Sequence, residues 1–415
     1  MDLRGRSLLK DTDLSAGEFR YLVGLGARLR RERRMGERMH RLIGRNIALI
    51  FETASTRTRS AFEVAAHDQG AHVSYLGPGE SGLGARETAG DVARVLGRMF
   101  DGIACRGFAQ HTAETVGRYA GVPVWNGLTD ESHPTQMLAD ILTMRDHVPK
   151  PLAEVSCCYL GDGRNNTASS LLVTGALLGM DTRICAPEPL QPSAAVAAIA
   201  RGLASGSGAR LTVTADVAAA VAGADYLYTD VWLSMGEPAD LWDARIDLLV
   251  PYQVNKHVLA ATGNPAVKFM HCLSALHSPQ TDVGRQIHGK RGLDALEVTG
   301  EVFESPAFSS STRPRTDCTP SRRSWSPPSA TRHKGQSSRR AATPCANGAS
   351  GPAPAARNSM SPARSPRSPP VLPHHDMILT HGNGSQVGVL GLESASDPAL
   401  SRPTRSTCWA RRPTA

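Results

Sequence analysis

From position 46 onward one unit recurs in this chain: a short apolar run, a turn, and a stretch with apolar residues at helical spacing. Asn46 to Phe51 (NIALIF) reads as a buried strand that leads into a helix from about Thr58 to Gln69. His72 to Leu76 precedes a helix over Glu87 to Phe100, whose apolar positions are 92, 95, 96 and 99. Gly102 to Cys105 and Val122 to Trp125 are further strands. Later, Val155 to Leu160 leads into a helix from Asn166, and Thr182 to Cys185 into one from Pro192. Leu211 to Val213, Asp225 to Tyr228 and Val267 to Cys272 follow. Alternation of this kind implies parallel sheets covered by helices on both faces. The expected fold is α/β, with two doubly wound parallel-sheet domains, 1–147 and 148–308, joined by a helix from Thr135 to His147. In such sheets ligands sit at the carboxyl ends of strands, so the loops after these runs are where chemistry belongs.

Charge divides the chain differently. Residues 309–415 hold 15 of the 46 lysines and arginines, 4 of the 38 acidic residues and 15 of the 28 prolines. Their net +11 leaves residues 1–308 near −3, so the overall +8 belongs to the tail. The tail lacks apolar periodicity and is expected to be disordered. It also has few aromatics and no recognisable nucleic-acid motif, which argues against a nucleic-acid partner. The 8 cysteines are irregularly spaced, and no positive-then-apolar leader opens the chain, unlike a disulfide-stapled secreted protein. The longest apolar stretch, around Leu171 to Met180, falls short of the roughly 18 residues a membrane span needs. A cytoplasmic protein without a membrane partner is expected.

The first strand runs straight into Ser55-Thr56-Arg57-Thr58 and a helix. Free N–H groups at a helix start favour an anion, and an arginine there can hold two phosphate oxygens. A lone Ser-Thr pair is more often an ordinary cap. Here Arg106 follows the strand at 102, and His133-Pro134-Thr135-Gln136 follows the strand at 122, so three polar groups recur at strand ends. Free cysteine such as Cys272 is usually a small buried hydrophobe, and Asp230-Val231-Trp232 alone reads as a strand end with a packed Trp. No cluster has metal-ligand spacing, and no metal or cofactor is expected.

Six separated motifs then resemble the transcarbamylase family in order. They are Ser-Thr-Arg-Thr at 55, Asp91 to Gly107 (DVARVLGRMFDGIACRG), Asn126 to Asp140 (NGLTDESHPTQMLAD), Gly161 to Asn166 (GDGRNN), and Asp230 to Gly236 (DVWLSMG) with His271-Cys272-Leu273. The later ones resemble the ornithine-specific branch, and the similarity runs from about Leu8 to Phe308. The resemblance implies transfer of the carbamoyl group of carbamoyl phosphate to the δ-amino group of ornithine, giving citrulline and phosphate in arginine metabolism, whether in arginine biosynthesis or in arginine breakdown. It implies that Ser55, Thr56, Arg57 and Thr58 hold the phosphate. Arg106, His133 and Gln136 would contact the phosphate or the carbamoyl group, with Cys272 and Leu273 on the catalytic loop beside them. Asn166, Asp230, Ser234 and Met235 would bind ornithine, and a homotrimer would share sites between subunits.

The chain departs from the family at four places. Gly82 and Arg86 stand where the family has a glutamine and a lysine that reach a neighbouring subunit's site. Ser274 replaces a proline that normally follows a cis peptide, and Leu276 nearby replaces a phenylalanine. After Ala307 the family's terminal helix, with an arginine for carbamoyl phosphate, gives way to the tail. Codons for that helix, read one base later, translate as Ser311 to Arg323, so a frameshift origin is expected for residues 309–415, with impaired activity and solubility. The alternatives are a transcarbamylase for putrescine or N-acetylornithine, or a non-enzymatic protein whose tail binds nucleic acid.

Overall fold

A computed structural model describes residues 2–308 apart from 38, 85, 234–236 and 238. The expected disorder and origin of residues 309–415 lie outside the described residues.

The amino-terminal helix α1 (Ala16–Met35) opens on a reciprocal cap between Ser15 and Glu18 and stops at the left-handed Gly36. Next comes the first sheet, built from β1 (Asn46–Phe51), β2 (His72–Leu76), β3 (Gly102–Phe108) and β4 (Val124–Thr129). Its order is β2-β1-β3-β4 and every pairing is parallel. Three helices cross between these strands: α2 (Thr56–Asp68), α3 (Ala89–Met99) and α4 (Gln110–Tyr119). Helix α2 begins two residues before the expected Thr58, because the Ser55 hydroxyl, not a later one, caps it by accepting from the Thr58 N–H.

Helix α5 (Pro134–His147) leaves the first sheet with proline at its first position, where the missing N–H costs nothing. The second sheet holds β5 (Ser156–Leu160), β6 (Asp181–Cys185), β7 (Arg210–Thr214), β8 (Tyr226–Thr229) and β9 (Lys268–His271). Its order is β7-β6-β5-β8-β9, again all parallel. Helix α6 (Asn166–Leu178) follows β5 and is capped by Asn165. Strands β5 and β8 are buried along their whole length, as a sheet covered on both faces requires.

The two parallel-sheet domains share a core. One apolar cluster runs from Leu49 and Trp125 through Met137, Ile141 and Met144 of α5 to Tyr159 and Tyr226. Two phenols fasten α5 to the second sheet: Tyr226 donates to Met144 O at 2.8 Å and Tyr228 to Asp140 Oδ2 at 2.9 Å. At its start, Thr135 Oγ1 donates to Asn126 O of β4 at 3.1 Å, so the helix is bonded to both sheets.

Each sheet reverses its winding once, beside β1 and β3 in the first and beside β5 and β8 in the second. Those reversals open crevices at the strand ends. At the first, Gly107 has φ of +90°, and a Cβ there would stand 2.6 Å from Thr53 Oγ1, so glycine lets β3 lie against the loop after β1. No helix among the described residues is long and apolar enough to cross a membrane.

Candidate active site

A cleft of about 1000 Å³ opens where the two crevices face each other. The first sheet contributes Ser55, Thr56, Arg57, Arg106 and His133 to its lining, and the second contributes Asn166, Asp230, Cys272 and Leu273. The sequence motifs, up to 216 residues apart in the case of Arg57 and Leu273, are thus brought together.

On the first side two guanidinium groups lie close together. Arg106 is 5 % exposed and donates from Nη1 to Gly127 O at 3.0 Å. Burial, with the neighbouring charge of Arg57, pulls its pKa down to about 10. Arg57 reaches across the cleft to donate from Nη2 to Leu273 O at 2.7 Å. The Nε of each arginine is buried without a hydrogen-bond partner, and neither forms an ion pair among the described residues. Two cations with unused donors beside the start of α2 form a receptacle for a dianion. His133 precedes α5, and its N–H donates to Ser170 Oγ at 2.8 Å.

The second side is acidic. Asp230 accepts from the Cys272 thiol at 2.8 Å, from Thr167 Oγ1 at 2.9 Å and from the Val231 N–H at 2.7 Å. Burial and the Asp230 charge push the Cys272 thiol well above its usual pKa, so it stands as a neutral donor. Asn166 donates to Thr129 O at 2.6 Å and ties the start of α6 to the end of β4. The Leu273–Ser274 peptide is cis, the geometry that the family resemblance implies at this position, here with serine.

Two expected site residues lie behind the cleft wall instead of lining it. Thr58 is fully buried and accepts from Ser55 Oγ at 3.2 Å. Gln136 is 1 % exposed and donates from Nε2 to Asp140 Oδ1 at 2.9 Å. Ser234 and Met235 lie outside the described residues. The fold also gathers donor atoms that spacing did not reveal: those of Asp230, His271 and Cys272 lie within 4.8 Å of one another. Internal bonds use that set. Besides the thiol bond to Asp230, His271 Nδ1 accepts from the Leu273 N–H at 2.8 Å, and its Nε2 faces the Glu297 carboxylate at 3.4 Å.

Sequence reasoning missed Thr167, Asp140, Tyr228 and Asp11. Asp11 is buried under the start of α5, accepts from Ser132 and Ser170 at 2.8 and 2.6 Å, and is pushed up to about 6 by burial. Thr167 follows Asn166 and Asp140 ends the quoted 126–140 string, so adjacency was their only signal. Asp11 offered none.

Comparison with known proteins matches this geometry. Residues 6–146 match the aspartate/ornithine carbamoyltransferase carbamoyl-P binding domain, and residues 153–312 the corresponding Asp/Orn binding domain. An ornithine carbamoyltransferase of Haemophilus influenzae (strain PittGG) is 54 % identical over 307 residues, covering 74 % of this chain and 92 % of the relative. A protein of Rhizobium meliloti named "Ornithine carbamoyltransferase, catabolic" is equally similar, with the same coverage. Among solved structures, the ornithine carbamoyltransferase of Pyrococcus furiosus superposes with a TM-score of 0.67 at 37 % identity, covering 74 % of this chain and 92 % of that one. Two matching domains, and a strand-end cleft that pairs two arginines with an aspartate, make this chain a member of the aspartate/ornithine carbamoyltransferase family.

Proposed function

We propose that this chain transfers the carbamoyl group of carbamoyl phosphate to the δ-amine of ornithine, releasing citrulline and phosphate in the biosynthetic direction. The observation that carries this reading is the pairing of two unneutralised arginines, buried Arg106 and half-buried Arg57, with Asp230 across one cleft. Residues 1–147 hold the phosphate substrate and residues 148–308 the amino acid. Ser55, Thr56 and Arg57 cradle the phosphate at the start of α2, with Thr58 behind them accepting from Ser55 Oγ. Arg106 and His133 contact the carbamoyl end, with Gln136 behind them bonded to Asp140, and donors aimed at the developing oxyanion contribute about 3 to 4 kcal/mol each in comparable acyl transfers. Asp230 takes the α-ammonium, with Asn166, Ser234 and Met235 on the rest of the amino acid. The dry cleft lowers the δ-amine pKa from its usual value near 10, freeing the lone pair to attack the carbamoyl carbon. The carbon–nitrogen bond forms, the amine proton leaves, and the carbon–oxygen bond to phosphate breaks with its electron pair on phosphate. Cys272 and Leu273 line the path of the amine.

Asp230 favours ornithine over N-acetylornithine. N-acetylornithine has no α-ammonium and would leave the half-buried Asp230 carboxylate without a counter-ion, whereas putrescine keeps that ammonium and lacks only the α-carboxylate. Incubating the purified chain with carbamoyl phosphate and each amine, and assaying ureido product, should show ornithine used fastest. Equal or faster use of either rival would overturn the assignment. The rate should fall below that of relatives carrying the terminal helix, and replacing residues 309–415 by a relative's segment should raise it.

A homotrimer in the cytoplasm completes the proposal. Gly82 and Arg86 do not line this chain's own cleft, which suits a loop directed at a neighbour. Ile43 and Met99 are 74 % and 66 % exposed, apolar surface that a subunit contact would cover. Cys105, Cys157, Cys158, Cys185 and Cys272 are free thiols, as in a reducing compartment.

A further inference from the structure

Behind the cleft wall a buried histidine and glutamate hold the loop that carries Cys272 and Leu273. His271 ends β9, and its side chain and that of Glu297 are fully buried. His271 Nδ1 accepts from the Leu273 N–H at 2.8 Å. A ring nitrogen that accepts carries no proton, so the one proton of the imidazole sits on Nε2. That nitrogen has no hydrogen bond and faces Glu297 Oε1 at 3.4 Å. The same oxygen accepts from the Leu276 N–H at 2.6 Å, and Leu276 O accepts from the Leu296 N–H at 2.8 Å. The loop is thus gripped at Leu273 and again at Leu276. Neither His271 nor Glu297 lines the cleft, whereas Cys272, Leu273, Ser274 and Leu276 do. Leu273 therefore turns its N–H to the interior and its carbonyl to the cleft, where Arg57 Nη2 donates to it at 2.7 Å. Serine at 274 leaves φ free where the family resemblance implies a proline, so these side-chain bonds are what orient the loop.

We propose that His271, steadied by Glu297, is a positioning residue for carbamoyl transfer: by holding the Leu273 N–H it keeps the Leu273 carbonyl aimed into the cleft, an acceptor on the path of the attacking amine. The inference rests on the reading of the cleft as a carbamoyl-transfer site. It gives a role in that reaction to two side chains outside the cleft lining, and it makes the role depend on acceptor atoms and not on ring volume or charge.

Two replacements of His271 separate this role from packing. An asparagine oxygen makes the same bond to the N–H two residues on, as in an Asx turn, but leaves a void. Phenylalanine fills the space of the ring beside Phe269 and accepts nothing. For each variant of the full chain, carbamoyl transfer to ornithine, phosphate affinity by calorimetric titration and the ligand-free melting temperature are measured. H271F should lose about tenfold in kcat with phosphate affinity unchanged. Its KM for ornithine should hold, because Asp230 keeps its bonds to Thr167 and the Val231 N–H. H271N should stay within about threefold of wild type in kcat although it melts below H271F. A wild-type kcat in H271F, an equal loss in both variants, or activities that follow the melting temperatures would reduce His271 to packing and overturn the proposal. Should H271F fail to fold, Glu297 gives an independent pair. E297Q keeps an oxygen for both N–H groups and places its NH2 where Oε2 has no partner, so it should retain kcat. E297M keeps the bulk, accepts from neither N–H and should lose about tenfold. Equal kcat in that pair would overturn the proposal too. A wild type that binds phosphate yet transfers no carbamoyl group to ornithine would instead sink the reading of the cleft, and this inference with it.

Discussion

Arg106→Met is expected to yield a folded chain whose carbamoyl transfer drops by about 10² to 10³ in kcat/KM, the range seen when one donor to a developing oxyanion is removed. The fold should tolerate the change. Burial and the Arg57 charge pull the Arg106 pKa down to about 10, which means its charged form costs the folded state something. Met gives up the bond to Gly127 O but relieves one of two like charges, so the melting temperature without ligand should move little. With phosphate the two proteins should part. A ligand at about 100 times its Kd stabilises by about 2.7 kcal/mol, several degrees in a domain of this size. Wild type should show that upshift and Arg106→Met should lose it. A variant that melts early without ligand, or keeps the phosphate upshift, would move Arg106 from the anion receptacle to the structural core.

Asp230→Asn is the second large effect. Asn keeps one oxygen for the Cys272 thiol and the Val231 N–H, turns its NH2 toward Thr167 Oγ1, and loses the charge that faces an α-ammonium. Charged hydrogen bonds contribute about 1.5 to 3 kcal/mol, so KM for ornithine should rise by about 10 to 150-fold while that for carbamoyl phosphate holds. Discrimination against N-acetylornithine should shrink by the same factor. A second readout comes from the thiol. Burial is the larger cause of its raised pKa and Asp230 the next, so the variant thiol should titrate lower and alkylate faster without becoming a strong nucleophile. An unchanged ornithine KM would remove Asp230 from the amino-acid side.

Strands and helices were legible because parallel strands buried on both faces leave unbroken apolar runs, as in Asn46–Phe51 and Ser156–Leu160. The anion residues were legible because a hydroxyl-rich helix start at Ser55 is local chemistry written in consecutive residues. Asp140 and Tyr228 were not, since their bond joins positions 88 residues apart and neither sits in a motif of its own. Asp11 was hidden for the same reason: its partners Ser132 and Ser170 arrive only when α5 and α6 converge.

Helix α5 carries a metric consequence. Its 14 residues make a rod about 21 Å long at 1.5 Å per residue, held by Thr135 to β4 at one end and by Tyr226 and Tyr228 to the second sheet further along. A rod pinned to both sheets keeps the gap between the carbamoyl end and Asp230 at one length, whatever the surface loops do. The cleft therefore gauges its amine by the number of methylenes between the attacking nitrogen and the α-carbon. Lysine, with one methylene more, is the molecule against which that gauge reads.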